Sequence, residues 1–303
     1  MVSVILIWIY MTVTCYITGY LCLTGICRKG NYQIRKESSY LFTGIVLMTV
    51  YAEIFSLFGG VSFLANALLL VICLICFLVK KEELAGHFRH IRLTVTPQRV
   101  ILILVLFFLF AYGTASGLEH YDTGLYHAQS IRWIEEYGIV PGLGNLHSRL
   151  AYNSAAFSLS ALYSMAFLTG RSFHCCTGYF AFLLAVCCTD ACCRKREKKL
   201  LLSDLIRVMA VYYLLNIFDE MISPASDYFM VLTVFWLVIR WLELLERKEK
   251  STVPYSLLCI LGVYVCTIKF SGALIVLLTI WPAVELIQGK RVQEILRYIA
   301  CGL

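Results

Sequence analysis

GLEHYDTGLYHAQSIRWIEEYGIVPGLGNLHSRLAYNS, residues 117–154, interrupts long stretches of almost unbroken hydrocarbon and decides how the chain is read. The segment carries three histidines, four acids and two arginines. Such groups are costly inside lipid and tolerable at its surface, so a membrane chain that gathers them here has placed its chemistry here. The remainder reads as the scaffold.

Composition fixes the broad class. Of 303 residues 60% are hydrophobic and 15% charged, far from a soluble domain and close to a polytopic, all-α membrane bundle. Several runs reach about 18 residues or more with few charges, enough to cross hydrocarbon roughly 30 Å thick. The first, residues 2–27, lacks a basic leader and is too long for a signal core, so it reads as a retained helix. No P-loop, dinucleotide fingerprint, serine elbow or internal repeat is present, which argues against an ATPase, an oxidoreductase and a two-fold repeated transporter.

The formal charge of +7 does not point to nucleic acid, because the basic residues sit in short blocks between apolar runs. These blocks include Arg28 with Lys29, Arg35 with Lys36, Lys80 with Lys81, Arg194 to Lys199, Arg247 with Lys248, and Lys290 with Arg291. The positive-inside rule assigns them to the cytoplasmic face of a plasma membrane. About nine crossings follow from that rule, at 2–27, 40–58, 61–79, 100–117, 174–191, 200–217, 228–245, 253–270 and 272–288. The polar loops 117–154 and 216–228 then share the external face. Residues 152–169 cannot also cross without exporting the Arg194 block, so they are expected to form a serine-bearing juxtamembrane or re-entrant helix.

Within the first loop the pattern predicts a surface helix over 123–137, with Leu125, Ala128, Ile131, Trp133 and Ile134 as its apolar contacts. Gly138 to Pro141 end it. A turn built on Pro141, Gly142 and Gly144 then returns Asn145, His147 and Arg149 toward the bilayer.

An acid in the first large external loop, a surface helix, a return segment rich in Asn and His, and a second acidic loop together resemble the GT-C type membrane glycosyltransferases. That superfamily includes the protein O-mannosyltransferases and the bacterial aminoarabinose transferases. Glu119 to His127 resembles the first-loop acidic motif at Asp122, and Ser223 to Asp227 resembles the acidic start of a later crossing. The wording Tyr-Asp-Thr-Gly-Leu-Tyr-His is also similar to a group of bacterial membrane proteins usually placed beside that superfamily. The resemblance covers about 100–288; it implies a GT-C-like domain over 100–303, a three-helix membrane extension over 1–99, and a missing C-terminal part. It further implies a polyisoprenoid-phosphate-linked sugar as donor partner and transfer to an acceptor of the cell envelope.

Moving a sugar to a hydroxyl needs a base for the proton or a cation for the departing phosphate, and a carboxylate serves either step. Asp122 and Asp227 are the candidate catalytic acids, and each also suits a helix N-cap. Glu119, His120, His127, Asn145 and His147 are candidate substrate contacts. Asp122 could hold a divalent cation, magnesium or manganese, although no zinc-type pair of histidines is present. Arg149 and Lys269 are phosphate candidates, as isolated cations on the side where the positive-inside rule disfavours them; Lys269 could equally snorkel. Glu53, alone in the second crossing, reads as a packing or subunit contact, and the cysteines read as small hydrophobes. The rival readings are a non-catalytic or polymerase-type component of surface polysaccharide assembly, and a lipid-linked sugar carrier.

Overall fold

The computed structural model describes residues 1–30, 32–189, 200–289, 294–296 and 299. Twelve α-helices follow one another: α1 Val2–Gly30, α2 Glu37–Ser56, α3 Phe63–Thr94, α4 Pro97–Ser116, α5 Ala128–Tyr137, α6 Ala155–Leu162, α7 Ala166–Thr169, α8 Cys176–Thr189, α9 Leu202–Asn216, α10 Ser226–Glu246, α11 Thr252–Ile268 and α12 Ile280–Gln288. No strand occurs among the described residues. Local chemistry sets the boundaries. α4 starts where the Thr96 hydroxyl accepts from the Arg99 amide and Pro97 supplies a preset φ. In α3 the helical geometry breaks at Lys80, where the apolar run gives way to charge.

Six helical stretches among the described residues are long and apolar enough to cross a membrane: Val2–Arg28, Glu37–Ser56, Phe63–Leu93, Pro97–Ser116, Ser226–Glu246 and Phe270–Gln288. The chain is a multi-pass membrane protein. Of the about nine crossings expected, those at Cys176–Thr189, Leu202–Asn216 and Thr252–Ile268 fall on described helices of 14, 15 and 17 residues, shorter than these six, and the first of them abuts residues outside the description. The Arg194 to Lys199 block, Lys290, Arg291, Cys192 and Cys193 lie outside the described residues.

Residues 152–169 hold an eight-residue helix and a single turn, far too short to span. α6 is buried at every position, so of the two forms expected, juxtamembrane or re-entrant, it is not one that rests exposed on the membrane surface. Its serines work locally: Ser154 accepts from the Ala156 amide and donates to the Ile268 carbonyl at 2.7 Å.

α1 is the axle of the bundle. Trp8, wholly buried, stacks on Phe182 at 5.8 Å, and its indole N–H donates to the Cys175 carbonyl at 2.9 Å. Thr12 and Thr14 share hydrogen bonds with the hydroxyls of Tyr179 and Tyr163. One apolar cluster extends from Val4 to Leu286, so the residues expected to form an extension share a single core with the rest.

Backbones come into direct contact between α1 and α2. A Cβ at Gly44 would lie 1.8 Å from the Cys15 carbonyl oxygen, and one at Gly19 would lie 1.9 Å from that of Tyr40. Small residues permit such backbone contact between membrane helices, where dispersion and not water drives association. Gly44→Val is expected to lower unfolding stability by about 1–3 kcal/mol, the usual cost of overpacking. Gly25→Ala, which meets nothing within 4 Å, should stay within about 0.5 kcal/mol. Thermal unfolding in detergent compares the two; equal midpoints would remove the close crossing as a stability determinant.

The bundle has two chemically different ends. At one, Arg28 pairs with Glu83 at 2.9 Å and Arg35 with Glu249 at 3.6 Å. Deeper at that end, Glu243, 3% exposed, accepts from both Arg207 and Arg240. The other end carries the two polar loops.

Candidate functional site

Asp122 is held by structure on both sides. Nδ1 of His120 accepts from the Asp122 amide at 3.1 Å, and the His120 carbonyl accepts from the Thr123 amide at 2.8 Å. His120 therefore caps this turn. Asp122 sits already in right-handed helical geometry with no capping hydrogen bond from its side chain, so the cap reading of its carboxylate fails. Thr123–His127 then winds as a π turn, a local widening that recurs at functional sites.

The second polar loop is fastened to the first. Leu118 donates to the Asp219 carbonyl at 2.6 Å, the hydroxyls of Thr123 and Ser223 meet at 2.8 Å, and Thr177 donates to the Ser223 carbonyl. This lacing brings two carboxylate–cation pairs to one cleft of about 880 Å³. Arg149 donates to Asp122 at 2.6 Å, and Lys269 to Asp227 at 2.6 Å. Arg149 is presented on the 3-10 turn Ser148–Ala151, and its guanidinium lies 5.7 Å over the Tyr126 ring. Lys269 ends α11 in extended geometry, so its side chain emerges from the helix toward Asp227 instead of along the axis. Asp227, in the first turn of α10, faces the positive end of that helix, and Ala225 occupies the cap position.

The remaining candidates are arranged differently. His147 caps the turn of Arg149 through Nδ1, which accepts from the Arg149 amide at 3.2 Å. His120 and His147 thus both use Nδ1 as an acceptor, leaving Nε2 to carry the proton of the neutral ring. Glu119 and Asn145 are exposed and outside the lining of the cleft. Glu220 accepts from Tyr228, whose ring lies 6.3 Å from that of His120. Glu53 has one carboxylate oxygen buried without a hydrogen-bond partner among the described residues.

His127 lies beneath the cleft, 2% exposed, with its ring 4.1 Å from Tyr126 and 5.5 Å from Phe157. Burial pushes it down to about 4, against the opposing pull of Asp122. The unfolded chain therefore takes up this proton near 6.5 and the folded one only near 4. Its contribution to stability is complete above 6.5 and declines as pH falls toward 4. His174, pushed down by burial to about 4 as well, adds in the same direction. Replacing both residues with Phe should flatten the fall of the melting temperature between pH 6.5 and 4; an unchanged slope would assign the acid sensitivity to other groups.

The sequence reading missed Tyr126, Tyr152, Asn153 and Ser271, which also line the cleft. Tyr126 follows Asp122 by four residues, the spacing of one helical face, and that signal was available. Tyr152 and Asn153 close the polar loop 117–154, yet the sequence reading assigns them to the start of a helix and not to the site. Among the described residues no group of three or more His, Cys, Asp or Glu side chains could hold a metal ion.

Residues 1–303 match the sequence model of a family described as a domain of unknown function, DUF8201, and the chain belongs to that family. No curated protein and no solved structure matches it.

Proposed function

We propose that the cleft transfers a sugar from a polyisoprenoid-phosphate donor to a hydroxyl of a cell-envelope acceptor at the external face of the plasma membrane. The observation that carries this reading is the joint placement of Asp122–Arg149 and Asp227–Lys269 in one cleft that is also lined by Phe270. Phe270, 83% exposed, opens the apolar stretch Phe270–Gln288, whose side chains largely face outward. A donor could place its phosphate in the cleft and its isoprenoid tail along that stretch, in lipid.

In this reading Arg149 and Lys269 turn from their carboxylates to the donor phosphate, where cations stabilise the leaving charge. Asp122, released, takes the proton of the acceptor hydroxyl. The acceptor oxygen bonds to the anomeric carbon, the bond from that carbon to the phosphate oxygen breaks, and its electron pair leaves with the phosphate. The two carboxylates suit a magnesium or manganese ion only together with oxygens of the ligand, since two acids alone leave most of its coordination unfilled. Asp122 is the residue that would hold it. The basic end of the bundle is cytoplasmic in this arrangement, and the three shorter helices complete the crossings.

A lipid-linked sugar carrier is the second reading, favoured by the unpartnered oxygen of Glu53 within α2, since an intramembrane acid marks a transport path by default. A non-catalytic role in polysaccharide assembly stands beside it. Mass spectrometry of surface glycans and lipid-linked sugars from cells with and without the gene separates these. The transferase predicts loss of one sugar from the glycan, with its lipid-linked donor accumulating on the external face. Accumulation on the cytoplasmic face would instead indicate the carrier, and unchanged glycans would overturn both.

A further inference from the structure

A second cavity, of about 250 Å³, lies between α1, α2, α10 and α11 at the basic end, remote from the cleft. Its walls are apolar, with Leu23, Phe42, Leu47 and Trp236 among them, and its lining includes Arg35 and Arg240 but no acid. We propose that it is a binding site for an anionic phospholipid of the leaflet at the basic end, with one acyl chain inside and the phosphate on the two arginines.

Size, depth and charge each support that occupant. The volume falls below the roughly 300–1,000 Å³ of sites that enclose a whole small molecule, so it suits a segment of chain whose remainder lies in lipid. Along α2 the lining runs from Ser39 to Leu47, about 12 Å of helix at 1.5 Å per residue. That distance is most of one leaflet's share of a hydrocarbon core roughly 30 Å thick. The charged and most polar groups gather toward one side of this depth: Tyr32, Arg35 and Ser39 precede Phe42, Val46 and Leu47 in the inward direction, with the Thr43 hydroxyl among the latter. A phosphate at the mouth and methylenes below match this division.

The arginines are placed to receive an anion. The side chain of Arg35 is 56% exposed, and its partner Glu249 stands 3.6 Å away, a long contact that a phosphate can displace. Arg240 lies with its guanidinium 6.0 Å from the Trp236 ring and shares Glu243 with Arg207 and, at 3.9 Å, with Lys36, while Arg207 has Asp204 as a second partner; three cations thus stand against two carboxylates. Basic pockets between membrane helices recognise lipid phosphates in this manner.

The test uses the full-length protein in zwitterionic detergent, offered equal amounts of phosphatidylglycerol and phosphatidylcholine with matched chains, and read by native mass spectrometry. At least about tenfold preferential retention of phosphatidylglycerol is expected. Arg35→Gln should abolish the preference, Arg35→Lys should keep most of it, and Thr43→Trp, which fills the cavity, should remove bound lipid while the protein remains monodisperse. Arg171→Gln, an exposed cation at the other end, should change nothing. Equal retention of the two lipids would overturn the proposal, as would a preference that survives Arg35→Gln or is lost equally in Arg171→Gln. Glycerol phosphate, the headgroup without chains, should not compete; full competition would show a soluble anion site and also overturn it.

Discussion

Asp122→Asn is expected to reduce sugar transfer by about two to four orders of magnitude, the range supplied by a positioned base, while leaving the protein folded and inserted. The substitution is clean because His120, and not Asp122, caps the turn that begins this segment. Asn keeps the size of the side chain and can still accept from Arg149, but it cannot take a proton at neutral pH. The pair itself is partly exposed, 43% and 30% for the two side chains, so its loss should cost little stability, about 0–1 kcal/mol. Expression, monodispersity and melting temperature report the fold, and conversion of the lipid-linked donor reports the chemistry. Near-normal conversion by the Asn variant would remove Asp122 from the reaction and leave Asp227 as the acid to examine.

Glu243→Ala should cost about 3–5 kcal/mol, because it leaves Arg240 buried without its carboxylate and Arg207 with Asp204 alone. Arg207 and Glu243 are each 3% exposed, so water cannot easily replace the missing partner. The attraction between such groups need not exceed the cost of drying them, so the pair is not a large net source of stability. Its removal by halves is what destabilises. A triple variant, Arg207→Met, Arg240→Leu and Glu243→Leu, should therefore recover most of what Glu243→Ala loses. Unfolding of both variants in the same detergent decides this; a loss below about 1 kcal/mol for Glu243→Ala would show that water reaches these charges.

The sequence made the helices legible wherever an apolar run was both long and bounded by charge. The expected crossing at 100–117 corresponds to Pro97–Ser116, and the expected surface helix at 123–137 coincides with the π turn followed by α5. Hydropathy alone does not separate burial in protein from burial in lipid. α8 is as apolar as a crossing, and nearly all of its described residues are packed inside the protein. The serines marked 152–169 as non-spanning, and α6 is short, but they are interior: Ser158 and Ser160 are buried in α6, and the flanking Ser154 and Ser164 donate to carbonyls. In the cleft, charge bias alone singled out Arg149 and Lys269, and both are indeed beside acids. Which acid each would meet depends on the lacing of Thr123 to Ser223, a contact between residues a hundred positions apart that no local pattern encodes.

The central position of α1 bears on how the protein is made. Trp8 finds its carbonyl partner 167 residues later, and Thr14 its tyrosine 149 residues later. At ordinary rates of synthesis that delay is of order ten to thirty seconds, during which α1 has α2 beside it but not these two partners. Its hydroxyls are provided for: Thr12, Thr14, Thr18 and Thr24 each donate to the carbonyl four residues earlier. The indole of Trp8 has no such local outlet and finds its acceptor only when Cys175 arrives. The helix thus carries its hydroxyls satisfied until the partners of its aromatic and threonine side chains are made.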